Sequence, residues 1–406
     1  MTNPPRPRRR AIPAPDEGAH AAAERFSWYE FFAGGGMARL GLGSRWECVF
    51  ANEWLPEKAA AYRAYFGPAP ELRVCDVGTL FAADLPGRAC LVWASFPCQD
   101  LSLAGSGAGL AGQRSGTYWP FWGLMEQLIA ARRKPAIIVI ENVPGAITSH
   151  GGRDFAAIFS SLASARYRVG PMVIDAAHFV PQSRPRLFLV AVDDAIEFPA
   201  ELAAPSPDPR WRWRTLESTR SGLSPALAAR WVWWNLPFPE DPAPPLSSFI
   251  EEQPSGVAWH SAAETRRLLS LMSEANAAKV AAARRAGGMQ VGALYRRTRP
   301  VIENGAVVGK TQRAEVRFDE VAGCLRTPAG GSSRQTVLLV EGARVRSRLL
   351  SPREAARLMG VPDGYPLPER YNQAYHLFGD GVAVPVVSWL EERLLRPLAR
   401  AARPRH

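Results

Sequence analysis

Cysteine is scarce in this chain of 406 residues: there are five, Cys48, Cys75, Cys90, Cys98 and Cys324, and no two stand in C-x-x-C spacing. An odd number without paired spacing argues against a disulfide framework or a zinc site, and for a reducing compartment. No apolar run approaches the ~18 residues that span a bilayer. Residues 1–10 are rich in Pro and Arg and lack the apolar centre of a signal peptide. The protein is therefore expected to be soluble, cytoplasmic and off the membrane. Acidic residues are outnumbered, 38 against 49 Lys and Arg, which leaves a formal net charge of +11. That surplus favours a polyanionic partner, nucleic acid before membrane. No internal repeat is evident.

Apolar residues are not lacking. They make up 47% of the chain, enough for a sizeable core and more than one domain. Residues 1–25 mix Pro, Arg, Ala and charge without periodicity and read as a disordered basic tail. In that tail, Arg6, Arg8, Arg9 and Arg10 are solvated side chains before they are phosphate contacts.

From residue 26 strand-like and helix-like segments alternate. Strands are expected at 26–32, 47–51, 72–75, 90–95, 136–140 and 187–192, and helices at 37–42, 58–66 and 118–133. Apolar, β-branched runs suit parallel strands covered on both faces, and the alternation predicts an α/β, doubly wound sheet. After about residue 194 the texture changes. Prolines multiply between Pro199 and Pro245, tryptophans cluster at Trp211, Trp213, Trp231, Trp233 and Trp234, and 284–317 is strongly basic. This reads as a second, smaller, irregular domain over 195–345, with residues 346–406 returning to complete the first, which spans 26–194. Ser351, Pro352 and Glu354 form a capping box with Pro at the first helical position. An amphipathic helix is expected at 386–395.

Four groups carry chemistry. Phe32-Ala33-Gly34-Gly35-Gly36 lies between a strand and a helix, where glycines allow a tight turn and close approach of a ligand. Position 39 is Arg39, not the third glycine of a dinucleotide fingerprint, so a nicotinamide enzyme is disfavoured. The next two strands end at Glu53, suited to ribose hydroxyls, with Trp54 as a flat face for adenine, and at Asp76, suited to an exocyclic amine. Singly each is an ordinary surface acid. Three successive strand ends with such groups suit an adenosine-containing cofactor without a pyrophosphate.

Pro97-Cys98-Gln99 ends a further strand. Cys48, Cys75 and Cys90 sit in or beside apolar segments as small buried hydrophobes. Cys98 instead opens a loop, 99–112, where reactive groups tend to sit, and its thiolate would need nearby positive charge. Glu141, after a fully apolar strand, is either a capping or salt-bridging residue or an acid held near neutrality by burial. In Gln182-Ser183-Arg184-Pro185-Arg186, alternation puts Arg184 and Arg186 on one side, as a surface charge pair or as part of a site.

These groups, in this order, resemble the C5-cytosine-specific DNA methyltransferase family. Phe32 to Gly36, Phe96-Pro97-Cys98-Gln99, Glu141-Asn142-Val143 and Gln182-x-Arg184-x-Arg186 match its motifs, as do 112–117, 347–362 and 379–385. The resemblance spans residues 32 to about 390. It implies a Rossmann-like methyltransferase sheet that binds S-adenosylmethionine, and double-stranded DNA as the partner. It makes Cys98 the nucleophile at cytosine C6 and Glu141 the group at N3, with Arg184 and Arg186 orienting the base and stabilising its anionic groups. The base would be flipped out of the duplex.

Phe32, Ala33, Gly34, Gly36 and Pro97 would take the methionine side of the cofactor. Glu53 would hold the ribose, with Trp54, Asp76 and Val77 at the adenine. Gln99, Ser102 and Arg114 fall in a loop that closes over DNA in the family. Two departures are visible: Met37 stands where a glycine is frequent, and Asp380 stands where an Asn is usual, which bears on the cofactor contact at Asp380. The 195–345 region would be the target-recognition domain, with Arg297, Arg299, Ser333 and Arg334 as candidate DNA contacts. A monomer is expected, and a cognate restriction endonuclease is a candidate partner.

Two other readings compete. An RNA cytosine methyltransferase would share the chemistry, but the Cys-Phe-Thr motif of the tRNA-methylating relatives is absent. Cys324-Leu325-Arg326-Thr327 is the nearest stretch. A catalytically silent DNA-binding protein would not need Cys98, Glu141 and both arginines together.

Overall fold

A computed structural model describes residues 24–98, 109–112, 115–211, 213–303, 306–326 and 334–403. The basic tail up to residue 23 lies outside them. The apolar runs become β1 (Phe26–Phe31), β2 (Trp46–Glu53), β3 (Leu72–Val74), β4 (Leu91–Ala94), β5 (Ile137–Asn142), β6 (Tyr167–Asp175) and β7 (Pro185–Asp193). They form one sheet in the order β3-β2-β1-β4-β5-β7-β6. β1 to β5 run parallel, and β7 is antiparallel to both β5 and β6.

Each face of the sheet has its own core, because neighbouring residues on a strand point to opposite sides. Trp28, Ala51, Trp93 and Val139 lie on one face. Tyr29, Phe31, Val92 and Ile140 lie on the other. The first face is covered by α1 (Met37–Leu42), α2 (Pro56–Phe66) and the C-terminal helices α9 (Pro352–Leu358), α10 (Tyr371–Asp380), α11 (Val384–Leu390) and α12 (Arg396–Ala401). The second is covered by α3 (Tyr118–Ala130) and α4 (Arg153–Ser164). The α9 capping box forms: Ser351 Oγ accepts from the Glu354 amide, and Glu354 Oε2 accepts from the Ser351 amide at 2.7 Å. The final helix is interrupted by a π-helical turn at Glu391–Leu395.

The Trp-rich stretch packs on the outer edge of this sheet. It carries β8 (Ala203–Ala204), α5 (Arg214–Ser221), α6 (Pro225–Ala228) and β9 (Trp233–Trp234). Trp231 bridges Val169, and Trp234 Nε1 donates to Gly170 O at 3.1 Å. Both rings are buried, as core residues are.

A separate four-stranded sheet follows, ordered β11-β10-β12-β13. Its strands are β10 (Met289–Glu303), β11 (Ala306–Arg317), β12 (Thr336–Glu341) and β13 (Arg344–Leu349), all antiparallel. Helices α7 (Ala262–Ser270) and α8 (Glu274–Arg285) precede it. One of its faces joins a small core with Val280 and Ala283 of α8. Val291, Ala293, Val337 and Leu339 on the other face belong to the large core of the first domain. No described helix is long and apolar enough to cross a membrane.

Candidate active site

The strand order reverses beside β1, between β2 and β4, where open α/β sheets bind ligands at their carboxyl ends. A cleft of about 620 Å³ opens there, within the usual range for small-molecule sites. After β1 the backbone turns through left-handed residues at Phe32 (φ 58°), Gly34 (φ 57°) and Gly36 (φ 78°). A side chain on Gly34 would meet nothing within 4 Å, so its backbone faces open space. Gly36 differs from expectation. It does not line the cleft, and a Cβ there would come within 2.3 Å of Phe66 and 2.9 Å of Tyr62. Its smallness seats α1 against α2 rather than admitting a ligand.

Glu53, at the end of β2, is buried, and backbone amides fix its carboxylate. Oε2 accepts from Gly34 N at 2.7 Å; Oε1 accepts from Trp54 N at 2.9 Å and Leu55 N at 2.8 Å. Oε2 can still accept a bond from a hydroxyl. The adjacent Trp54 is 65% exposed at the cleft. After β3, Asp76 caps a short turn through Oδ1, which accepts from Gly78 N at 2.8 Å. Val77 beside it is buried, and both line the cleft.

Towards the other end of the cleft, β4 leads into Phe96, Pro97 and Cys98. The turn is clamped on both sides: Asn142 Nδ2 donates to Phe96 O at 3.1 Å, and Ser115 Oγ donates to Pro97 O at 2.9 Å. Glu141 is buried near the end of β5, the strand beside β4. Arg186 Nε lies 3.3 Å from Glu141 Oε1. Burial raises the Glu141 carboxyl above the usual range, with Arg186, a hydrogen bond from Ser95 and Arg184 opposing. Burial likewise pushes the Cys98 thiol up, against the pull of Arg186. The positive charge that a thiolate needs is thus present, and in the DNA-free protein it does not overcome burial.

Arg184 does not share the place of Arg186. It is absent from the cleft lining, and its guanidinium braces backbone. Nη1 donates to Leu325 O at 2.9 Å and to Cys324 Sγ at 3.3 Å. Nη2 donates to Gly379 O at 2.7 Å and Gly381 O at 2.6 Å. The expectation of two arginines side by side on the base is corrected to one at the carboxylate and one behind it. Alternation holds along β7, but Arg184 precedes that strand, where carbonyls from two distant turns converge on it.

Asp380, between the two braced glycines, lines the cleft and pairs with Lys58 Nζ at 2.8 Å. Among the DNA candidates, Gln99, Ser102, Arg114 and Ser333 lie outside the described residues. Arg297 and Arg299 are exposed on β10. Arg334 packs on α10: Nη2 donates to Asn372 Oδ1 at 2.5 Å, and its guanidinium lies 5.6 Å from the Tyr371 ring. It is less free for DNA than its sequence position suggests.

Three residues at the site were not singled out from sequence. Ser95 links Trp93 Nε1, which donates to it at 3.0 Å, to the Glu141 carboxyl. Lys58 neutralises Asp380. Burial raises the Cys324 thiol, but Arg184, Arg186 and Arg326 together hold it below the ordinary value. Only Ser95, two residues past the middle of an apolar strand and facing Glu141, left a signal that strand alternation could have found.

Comparison with known proteins places the chain in a family. The family model for C-5 cytosine-specific DNA methylase matches residues 26–396. The chain is 26% identical over 380 residues to the Type II methyltransferase M.BsuFI of Bacillus subtilis, covering 91% of this chain and 74% of that one. It is 23% identical over 368 residues to the Type II methyltransferase M.HhaI of Haemophilus parahaemolyticus, covering 89% and 91%. The crystal structure of S. pombe Dnmt2 methyltransferase shares the fold, with a TM-score of 0.55 at 17% identity over 92% of this chain and 99% of that one. The chain therefore belongs to the C-5 cytosine-specific DNA methylase family and is a DNA cytosine-5 methyltransferase.

Proposed function

We propose that this enzyme methylates C5 of a cytosine flipped out of duplex DNA, through a covalent bond between Cys98 Sγ and C6 of the base. The observation that carries this reading is that Cys98, Glu141 and Arg186 line the same cleft as Glu53, Trp54 and Asp76. One cavity can thus hold both a base and an adenosine-bearing methyl donor. The target atom is inaccessible in a stacked duplex, which is why extrusion is required.

The residues fit S-adenosylmethionine. Trp54 offers an exposed ring face, Glu53 keeps acceptor capacity for ribose hydroxyls, and the Gly34 backbone faces open space. Phe32, Ala33 and Pro97 line the same wall, with Asp76 and Val77 beyond. When bound, the cofactor supplies an electrophilic methyl group on a sulfonium, which departs as a neutral thioether.

Cytosine C5 is a weak nucleophile. Glu141, whose carboxyl burial pushes above the usual range, donates a proton to N3 and draws electrons from the ring, so that C6 becomes electrophilic. Cys98 gives its proton to solvent and its thiolate adds to C6, so the former C5=C6 pair is left at C5 and forms the bond to the methyl group. Solvent water then takes the C5 proton, the C5–H pair forms the C5=C6 double bond, Cys98 leaves with the C6–S pair, and the proton at N3 returns to Glu141. Arg186 holds Glu141 and stabilises negative charge on the reacting groups. Arg184 acts through Leu325, Gly379 and Gly381 as a positioning residue.

The segment 195–345, whose sheet runs on to Leu349, is the target-recognition domain in this reading. A Type II setting, with a cognate endonuclease cutting the same site, is supported by the names of the relatives. Purified protein with labelled S-adenosylmethionine should methylate unmethylated duplex DNA and leave tRNA unlabelled; labelled tRNA and inert DNA would reverse the substrate assignment. Bisulfite sequencing of DNA from expressing cells then gives the site.

A further inference from the structure

β10 and β11 extend beyond the sheet that carries them. β12 pairs with β10 only from Met289 to Leu294, whereas β11 pairs with it from Ala293 to Glu303. The nine residues 295–303 therefore have β11 as their sole strand neighbour among the described residues, a two-stranded ribbon. At ~3.3 Å per residue it reaches about 30 Å. Such a ribbon is marginally stable alone. Ile302, Val307 and Val308 at its tip are 63%, 66% and 56% exposed.

Its charge identifies the partner. Arg297 stands opposite Arg313 on one face, with Arg299 next along; Arg296 and Lys310 lie on the other. All five are exposed. Glu315 pairs with Arg297 and Arg299, at 3.7 and 2.5 Å. Cations on both faces suit a groove walled on both sides by phosphates, and a two-stranded ribbon fits a groove ~12 Å wide.

The base of the ribbon lies beside the Arg184 brace behind the active site. Tyr295 carries Arg297 4.5 Å above its ring. Its own ring lies 3.7 Å from where a Cβ on Gly323 would sit. The next residue, Cys324, accepts from Arg184.

We propose that the ribbon is a DNA-binding arm that grips duplex phosphates outside the base pairs next to the target. At ~3.4 Å per base pair its reach corresponds to about nine base pairs, close to one helical turn. The proposal rests on the DNA methyltransferase reading and extends it: affinity depends on duplex length beyond the recognised site.

The test compares wild type with two variants. In one, residues 299–311 are replaced by Asn-Gly, so that the paired Thr298 and Gln312 close a two-residue turn. The other is Lys310→Gln/Arg313→Gln, which changes exposed side chains only and keeps the full strand. Binding is measured on 12- and 30-base-pair duplexes centred on the methylated site, over a range of salt. Wild type should bind the longer duplex at least ~10-fold tighter, and the shortened arm should bind both alike. The double substitution should lower the salt slope by about 2, one unit for each phosphate no longer neutralised. Equal wild-type affinity for both lengths, or unchanged length and salt dependence in both variants, overturns the arm while leaving the methylation reading intact. If wild type transfers no methyl group to any duplex, the methylation reading fails and the arm with it.

Discussion

Arg186 Nε lies 3.3 Å from Glu141 Oε1, with Glu141 buried and Arg186 half-buried in the wall of the cleft that Cys98 also lines. The guanidinium serves two groups at once. It holds the carboxyl in place, and it is the cation that pulls down a thiol that burial pushes up. Arg186→Gln should therefore slow methyl transfer by ~10²-fold or more, on the scale of losing one charge-stabilising donor. Arg186→Lys should recover part of that loss. Single-turnover rates check both.

Cys98 in the cleft and Cys324 behind it should differ in reactivity. Cys98 sits above the ordinary thiol value because of burial, whereas Arg184, Arg186 and Arg326 outweigh burial at Cys324. In the DNA-free protein at neutral pH, iodoacetamide should alkylate Cys324 before Cys98, since the thiolate is the nucleophile. Alkylation of Cys98 should rise steeply with pH, and Arg186→Gln should slow it by roughly 3–10-fold at fixed pH. Peptide mass spectrometry with time distinguishes the sites.

Arg184 is a structural brace with consequences for the site. Its removal in Arg184→Met would orphan the carbonyls of Gly379 and Gly381, while Leu325 O keeps only the Cys324 thiol at 3.4 Å. Each orphaned buried group costs about 1–3 kcal/mol, so a loss of about 2 kcal/mol or more is expected. Urea unfolding gives the stability, and the cofactor Kd shows whether the 379–381 turn has moved.

Glu30 should make stability fall with rising pH. It is buried in β1 next to the cofactor turn, with Tyr62 and Arg39 as its polar neighbours. Burial raises its pKa from 4.5 to about 8, with Arg39 opposing. Between those values the folded state keeps a proton that the unfolded chain has released, so this group destabilises the fold progressively from pH 4.5 to about 8. Glu30→Gln should then raise Tm at pH 8.5 and do little at pH 4.5. An equal effect at both would rule out the titration.

The parts of the molecule legible in the sequence were those encoded locally. The capping box at Ser351 and Glu354 needs only its own four residues. Glu53, Cys98 and Glu141 meet because parallel strands bring their carboxyl ends to one edge, so the order of apolar runs already places them. Strand direction leaves no such trace: β7 is as apolar as its parallel neighbours yet runs the other way. Nor do pairings across the chain. Arg184 meets carbonyls 141 to 197 positions away, and Lys58 meets Asp380 at a separation of 322. Gly36 looked like a ligand glycine because spacing cannot show that Tyr62 and Phe66 crowd it. The β10–β11 arm was visible as a basic stretch, but its length was not, since nothing local marks where β12 stops pairing.

The most direct measurement is covalent capture. Duplex DNA carrying 5-fluorocytosine at the methylated position lacks the C5 proton whose removal frees the enzyme. With S-adenosylmethionine, wild type should form a complex that survives denaturing electrophoresis. Mass spectrometry should place the modified cytosine on Cys98, and Cys98→Ser should give neither complex nor methyl transfer. Methyl transfer by Cys98→Ser at the wild-type rate, or a trapped adduct on Cys324 instead, would contradict the account.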